Sequence, residues 1–259
     1  MICSMFNSSF RVSNCTSSKH LCSVILATVL LTISAQSFSS KKMEFSIAGG
    51  FNQTHIKNTS LTISPYETDS VLIKQLHDSG MWKVGIGSYF FDEHREFFNS
   101  FLLELNFYRS EGDIDGVVWQ YQLPQFNNYG VYAPYSNTRL VVDVKPGLFT
   151  WNAISPYLIL GIGATWNSMS YQETVAGVED QPGSNLILNN KISTHFAYDL
   201  GVGSRVTLDK HLSVSIEYLY TYLSQMSPGR EETNSVQLTS APIFRLYNQA
   251  LLFGLTWMI

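Results

Sequence analysis

The sequence predicts an all-β protein: an eight-stranded antiparallel transmembrane up-and-down β-barrel, preceded by a cleavable signal peptide. Three observations predict it. Eight segments of about ten residues, the length of a tilted strand crossing a bilayer, alternate apolar and polar side chains. Long and short connections between them strictly alternate. Charged residues make up only 14% of the chain and aromatics another 14%, whereas a soluble domain carries roughly 25% charge.

The chain opens with a leader. Arg11, Lys19 and His20 form a basic flank, "LCSVILATVLLTI" (21–33) is an apolar run, and "SAQS" (34–37) offers small residues for cleavage after Ala35 or Ser37. That order is the signature of a secretory signal peptide, here 1–37, and the apolar run is shorter than the roughly 20 residues a spanning helix needs. All three cysteines, Cys3, Cys15 and Cys22, fall inside it, so the mature domain, 38–259, has no disulfide to rely on. Removing the leader takes away two of the 16 basic residues and none of the 20 acidic ones, moving the net charge from −4 to −6. With no Lys/Arg run and an acidic balance, nucleic acid is not an expected partner.

The strands follow in order. "MEFSIAGGFN" (43–52) alternates Met43, Phe45 and Ile47; "MWKVGIGSYF" (81–90) alternates Trp82, Val84 and Ile86; "SFLLELNFYR" (100–109) sets Phe101, Leu103, Leu105 and Phe107 against Glu104 and Asn106. "TRLVVDVK" (138–145) sets Leu140, Val142 and Val144 against Arg139, Asp143 and Lys145. "PYLILGIGATW" (156–166), "HFAYDLGVGSRVT" (195–207) and "LSVSIEYLYTY" (212–222) repeat the step, placing Asp199, Arg205 and Glu217 on the polar parity, and "LLFGLTWMI" (251–259) completes it. The short connections are 92–98, 149–154 and 208–211; the long ones are roughly 53–79, 111–136, 168–192 and 223–245. Short turns on one side and long loops on the other are the habit of an outer-membrane barrel.

Lipid on the outside assigns the faces. The apolar parity carries aromatics near its ends, among them Trp82, Phe90, Trp166, Tyr218 and Trp257, as girdles at the two interfaces require. The polar parity carries both signs of charge, which can pair in a narrow interior. Glu104, Arg139, Asp143, Lys145, His195, Asp199, Arg205 and Glu217 are the expected interior polar network. A soluble lipocalin-like barrel, with the faces exchanged, is the structural rival.

The terminal "GLTWMI" resembles the insertion signal of outer-membrane barrels in Gly254, Trp257 and the large apolar Ile259, where such barrels usually carry Phe. "SPYLILGIGATW" and "FAYDLGVGSRVTLDKHLSVSIEYLYTYLS" are similar to strands five to seven of the small eight-stranded barrels, the OmpA membrane domain and the opacity-type surface antigens. The resemblance implies insertion by the barrel assembly machinery into the outer membrane of a Gram-negative bacterium, with lipid and lipopolysaccharide around the barrel. It implies little about activity, because such barrels host many functions.

No catalytic or cofactor constellation emerges. Gly85-x-Gly87, Gly161-x-Gly163 and Gly201-x-Gly203 never continue into a phosphate-binding loop and helix; on the inward parity they make room for larger side chains. Ser193, His195 and Asp199 share a parity, but neighbours of one parity lie about 6.6 Å apart along a strand, too far for a nucleophile and its base. Glu111, Asp113 and Asp115 in "EGDIDG" read as a solvated acidic turn lacking the rest of a calcium loop. No metal or other cofactor is expected.

The most unusual segment is "VVWQYQLPQFNNYGVYAPY" (117–135). Its Trp119, Tyr121, Phe126, Tyr129, Tyr132 and Tyr135 form a candidate loop interaction surface, since exposed aromatic patches mark binding sites. The expected role is a non-enzymatic, structural or adhesive surface protein whose loops meet host or envelope partners. The alternatives are a narrow porin-like channel for small or apolar solutes and a lipid A-modifying barrel enzyme.

Overall fold

The computed structural model describes residues 42–64, 67–92, 98–175, 186–229, 232–233, 238 and 240–259. The leader, 1–37, and its cleavage site lie outside them. Ten strands are described: β1 (Met43–Ile56), β2 (Thr59–Ser64), β3 (Glu67–Asp92), β4 (Ser100–Trp119), β5 (Asn127–Gly147), β6 (Ile154–Val175), β7 (Ile187–Thr207), β8 (Leu212–Met226), β9 (Glu232–Thr233) and β10 (Phe244–Met258). Two short 3-10 turns, Gln120–Gln122 and Pro124–Phe126, join β4 to β5.

The eight longer strands, β1, β3 to β8 and β10, pair antiparallel in that order, and β1 pairs with both β3 and β10, so the sheet closes. The β1–β10 ladder runs from Glu44↔Met258 to Ile56↔Leu246. Ile259 and Met43 exchange backbone hydrogen bonds beyond its end, at 2.9 and 3.3 Å. This is the task of the alternating terminal segment: closure leaves no naked strand edge in lipid, where unpaired backbone groups are costly. The small strands β2 and β9 pair β3 and β7.

The strands outrun the expected ten residues. β4, β5, β6 and β7 have 20 to 22 residues and β3 has 26, while β1, β8 and β10 have 14 or 15. Twenty residues of strand extend about 66 Å, far beyond a tilted crossing of the roughly 25 Å apolar band of such barrels. Much of the long connections 53–79, 111–136 and 168–192, read as loop from the sequence, is therefore strand. The EGDIDG segment likewise lies within β4 rather than in a turn.

The reason is visible in β4, whose parity never changes while its chemistry does. Leu105 and Phe107 face outward, and the same row continues as Arg109, Glu111 and Asp113; the inward row runs Glu104, Asn106, Tyr108, Ser110, then Ile114 and Val118. Below this level the barrel is polar inside and apolar outside. Above it, Leu61, Val71, Ile114, Val118, Val131, Ala133, Met169, Tyr171, Leu188, Phe244 and Leu246 gather into an apolar interior, as in a barrel surrounded by water.

The wall is interrupted twice among the described residues: the β7–β8 ladder ends at Tyr198↔Tyr222 although β7 reaches Ile187 and β8 reaches Met226, and a second break lies beside β1. The β1–β3 ladder ends at Gly50↔Met81, and above it β1 pairs only with β10. Gly80 sits at the break with φ of 103°, a left-handed conformation that glycine adopts without steric cost. A seam thus opens between the upper part of β1 and β3, on the low side of the wall formed by β8, β10 and β1.

Candidate functional site

The membrane-level interior is a stack of ion pairs. Midway along it Lys145 Nζ lies 2.5 Å from Glu104 Oε2 and 2.7 Å from Glu217 Oε1, and Lys83 Nζ lies 2.7 Å from Glu217 Oε2. Ser46 donates to Glu104, and the Tyr157 hydroxyl donates to Glu217 Oε1 at 2.8 Å. Toward the apolar upper interior, Asn106 Nδ2 and the Tyr108 hydroxyl donate to Asp143 Oδ2 at 2.6 and 2.8 Å. Arg139 lies 3.5 Å from Asp199 as an ion pair without an aligned hydrogen bond, and its guanidinium covers the Tyr108 ring at 4.2 Å. At the opposite end Arg205 pairs with Glu44 at 2.9 Å, and Tyr89 donates to Glu44 Oε2 at 2.9 Å.

Burying such charges is tolerable only where partners and hydrogen bonds replace water. Inward glycines make the space: a methyl group on Gly85 would collide with Glu104 and Asn106, and one on Gly161 with Asp143. Of the interior residues expected from the sequence, Glu104, Arg139, Asp143, Lys145, Asp199, Arg205 and Glu217 lie in this stack. His195 shares the inward parity, opposite Thr165 and half-buried, but joins none of the ion pairs among the described residues. The Ser193 hydroxyl turns onto the Asn167 carbonyl at 3.4 Å. Lys83, Glu44, Tyr108 and Tyr157 are members that sequence reasoning missed. Lys83 and Glu44 sit at polar parity inside segments already recognised as strands, so the step of two was signal enough for them.

A second polar layer caps the stack. Asn137 donates to Thr165 and Asn167, and Asn167 in turn donates to the Leu223 carbonyl at 2.9 Å. Higher still, Glu173 is buried and accepts from the Tyr171 hydroxyl at 2.7 Å. Burial pushes its carboxyl up to about 7; the Tyr171 hydrogen bond opposes the rise and the nearby Asp69 carboxylate adds to it.

The aromatic segment 117–135 does not form one surface. Tyr121 and Phe126 are exposed and meet edge to face at 6.1 Å, and Tyr132 is exposed on the outward row of β5. Trp119 and Tyr129 are half-buried. Tyr135, expected at the surface, is interior at 4% exposure, because 127–147 is strand and places its odd-numbered residues inward. Gly254 faces inward, where a methyl group would meet Ser215 Oγ at 2.6 Å. Trp257 and Ile259 face outward at 53% and 81% exposure, and Trp257 stacks on His211.

Known structures resemble the chain in fold alone. A major outer membrane protein from Thermus thermophilus is 11% identical, with 85% of this chain and 100% of that one covered and a TM-score of 0.49. Neisserial surface protein A is 12% identical, covering 84% and 96% with a TM-score of 0.33. Ail, the attachment invasion locus protein of Yersinia pestis, is 12% identical, covering 83% and 98% with a TM-score of 0.35. No curated protein sequence matches. The sequence model of the outer membrane protein beta-barrel domain matches residues 23–257, and with lipid-facing rows, a closed sheet and a charged interior already in place, the chain belongs to that family and resides in the outer membrane.

Proposed function

We propose that the protein is a non-enzymatic surface protein of the outer membrane, holding a raised wall of strands and its aromatic rim toward partners outside the cell. One observation carries this reading. At membrane level the interior is filled by the Glu104–Lys145–Glu217–Lys83 cluster, and above it by a packed apolar core, so the fold spends its interior on rigidity. An eight-stranded barrel has an interior that side chains can just fill. The long strands β3 to β7 then carry the exposed Tyr121, Phe126 and Tyr132 beyond the apolar band of the membrane. Catalysis finds no support in the Ser193–His195–Asp199 row, since the Ser193 hydroxyl is turned onto the backbone.

The test has two arms. In planar bilayers the purified barrel is expected to give no conductance steps; steady steps would replace this reading with the narrow channel. On whole cells, Tyr121→Ala/Phe126→Ala/Tyr132→Ala is expected to lower binding to host cells or isolated envelope proteins while the barrel keeps its heat-modifiable migration on gels. Unchanged binding would remove the rim from the proposal.

A further inference from the structure

A cleft of about 720 Å³ opens on the outer face of the low wall, lined by Lys57, Arg245, Trp119, Gln122, Gln225 and Ile243 among others. It lies where β1 ends and the seam toward β3 begins. Continuing the β1–β10 register one step past Ile56↔Leu246 sets Lys57 opposite Arg245, and the Lys57 amide donates to the Arg245 carbonyl at 3.4 Å. Both side chains are exposed. No carboxylate among the described residues lines the cleft, and among those residues neither cation has an acidic partner.

Two like charges directly opposite on one sheet face destabilise the pairing. In a chain of net charge −4, such a pair needs an explanation, and its height supplies one. Two residues toward the membrane from Lys57 and from Arg245 stand His55 and Tyr247, stacked at 5.2 Å, with Tyr220 tilted against Tyr247 at 6.1 Å. Further along the same outward row Phe51 is 76% exposed, facing lipid. The cations therefore sit one step beyond the aromatic girdle, at the level of lipid headgroups.

We propose that this cleft binds a phosphate of an outer-leaflet glycolipid. The phosphate lies between Lys57 and Arg245 and cancels their repulsion. The guanidinium offers two parallel N–H donors and the ammonium a second positive charge. Gln225, paired with Arg245 across β8 and β10, adds an amide to the same row. Trp119 and Ile243 give the sugar ring an apolar flank. The site is independent of the rim contacts proposed above, so its failure leaves that reading standing.

The experiment uses the full barrel in detergent micelles and native mass spectrometry, with bisphosphorylated lipid A, dephosphorylated lipid A and inorganic phosphate as probes. The wild-type protein is expected to bind the bisphosphorylated lipid at least ~10-fold more tightly, as a lost charge-assisted contact implies. Lys57→Gln/Arg245→Gln is expected to abolish that preference, and Arg245→Lys to keep most of it. Each variant changes an exposed side chain and is checked for heat-modifiable migration. Equal affinity of the wild-type protein for the two lipids, which requires no variant, overturns the proposal, as does a double variant that keeps the preference. Displacement of the lipid by inorganic phosphate at comparable concentration would make this a free-anion site and overturn the assignment to glycolipid.

Discussion

The lower and upper halves of this barrel use one backbone with opposite chemistry. In the lower half Glu104, Lys145 and Glu217 face in while Phe45, Ile86, Ile162 and Phe253 face out; in the upper half Ile114, Val131 and Phe244 face in while Arg109, Glu111 and Ser170 face out. Strand parity is continuous through β4, so neither turn nor bulge is needed to exchange the faces there. What changes is the solvent. The difference teaches that "inside" in a barrel has no fixed polarity: each row takes the character opposite to the medium that bathes the other.

Removing one member of the lower network should break this comparison most severely. Glu217→Ala leaves Lys83 and Lys145 with Glu104 as their shared carboxylate, 4.0 and 2.5 Å away, and a loss of about 3–5 kcal/mol is expected. Urea unfolding in lipid vesicles, followed by tryptophan fluorescence, measures it. An upper-core truncation should come next. Ile114→Ala is expected to cost about 2–5 kcal/mol as a cavity in a water-surrounded core. Ile162→Ala, at 60% exposure on the lipid-facing row, should cost distinctly less in the same assay. Equal losses would mean that the two halves do not differ as described.

A charge placed on the outward row sharpens the contrast. Leu160→Arg is expected to destabilise the barrel by about 2–4 kcal/mol if it lies near the middle of the bilayer, whereas Ser170→Arg, on the same outward row of β6, should be nearly silent in the heat-modifiability midpoint. The smallest effect is set by pH. Glu173 titrates at about 7 in the folded chain against the usual 4.5. Between those values the folded state holds a proton that the unfolded state has released, so this residue's contribution falls as pH rises through that window. Glu173→Gln should therefore stabilise the barrel by about 1–3 kcal/mol at pH 8, at roughly 1.4 kcal/mol per pH unit, and leave it unchanged at pH 4. A gain that is the same at both pH values would exclude titration as the cause.

The lower half was legible in the sequence because lipid enforces a strict step of two. Phe101, Leu103, Leu105 and Phe107 announce a strand, and Glu104 between them announces the interior. The upper half was not. Its segment 111–136 mixes Gly112, Gly116 and Pro134 with acidic residues and tyrosines, which read as turn chemistry, and the row that had been polar becomes apolar without any change of step. Tyr135 was placed at the surface for this reason. Cross-strand partners were illegible altogether. Alternation puts Asp143 inside, but nothing in one chain says that Tyr108 and Asn106 will meet it, because register depends on how neighbouring strands slide.

The exchange of chemistry at the level of Phe107 and Arg109 also fixes the draught of the molecule, as a load line does on a hull. Sinking the barrel by two residues along its strands would drag Arg109 toward hydrocarbon, and raising it by as much would lift Phe107 and Leu140 into water. Either displacement meets a restoring force from the whole circumference at once, since Trp166, Tyr247 and Phe51 lie on outward rows of other strands. The wall above the membrane is thus held at one height, and whatever meets its rim meets it at a set distance from the lipid.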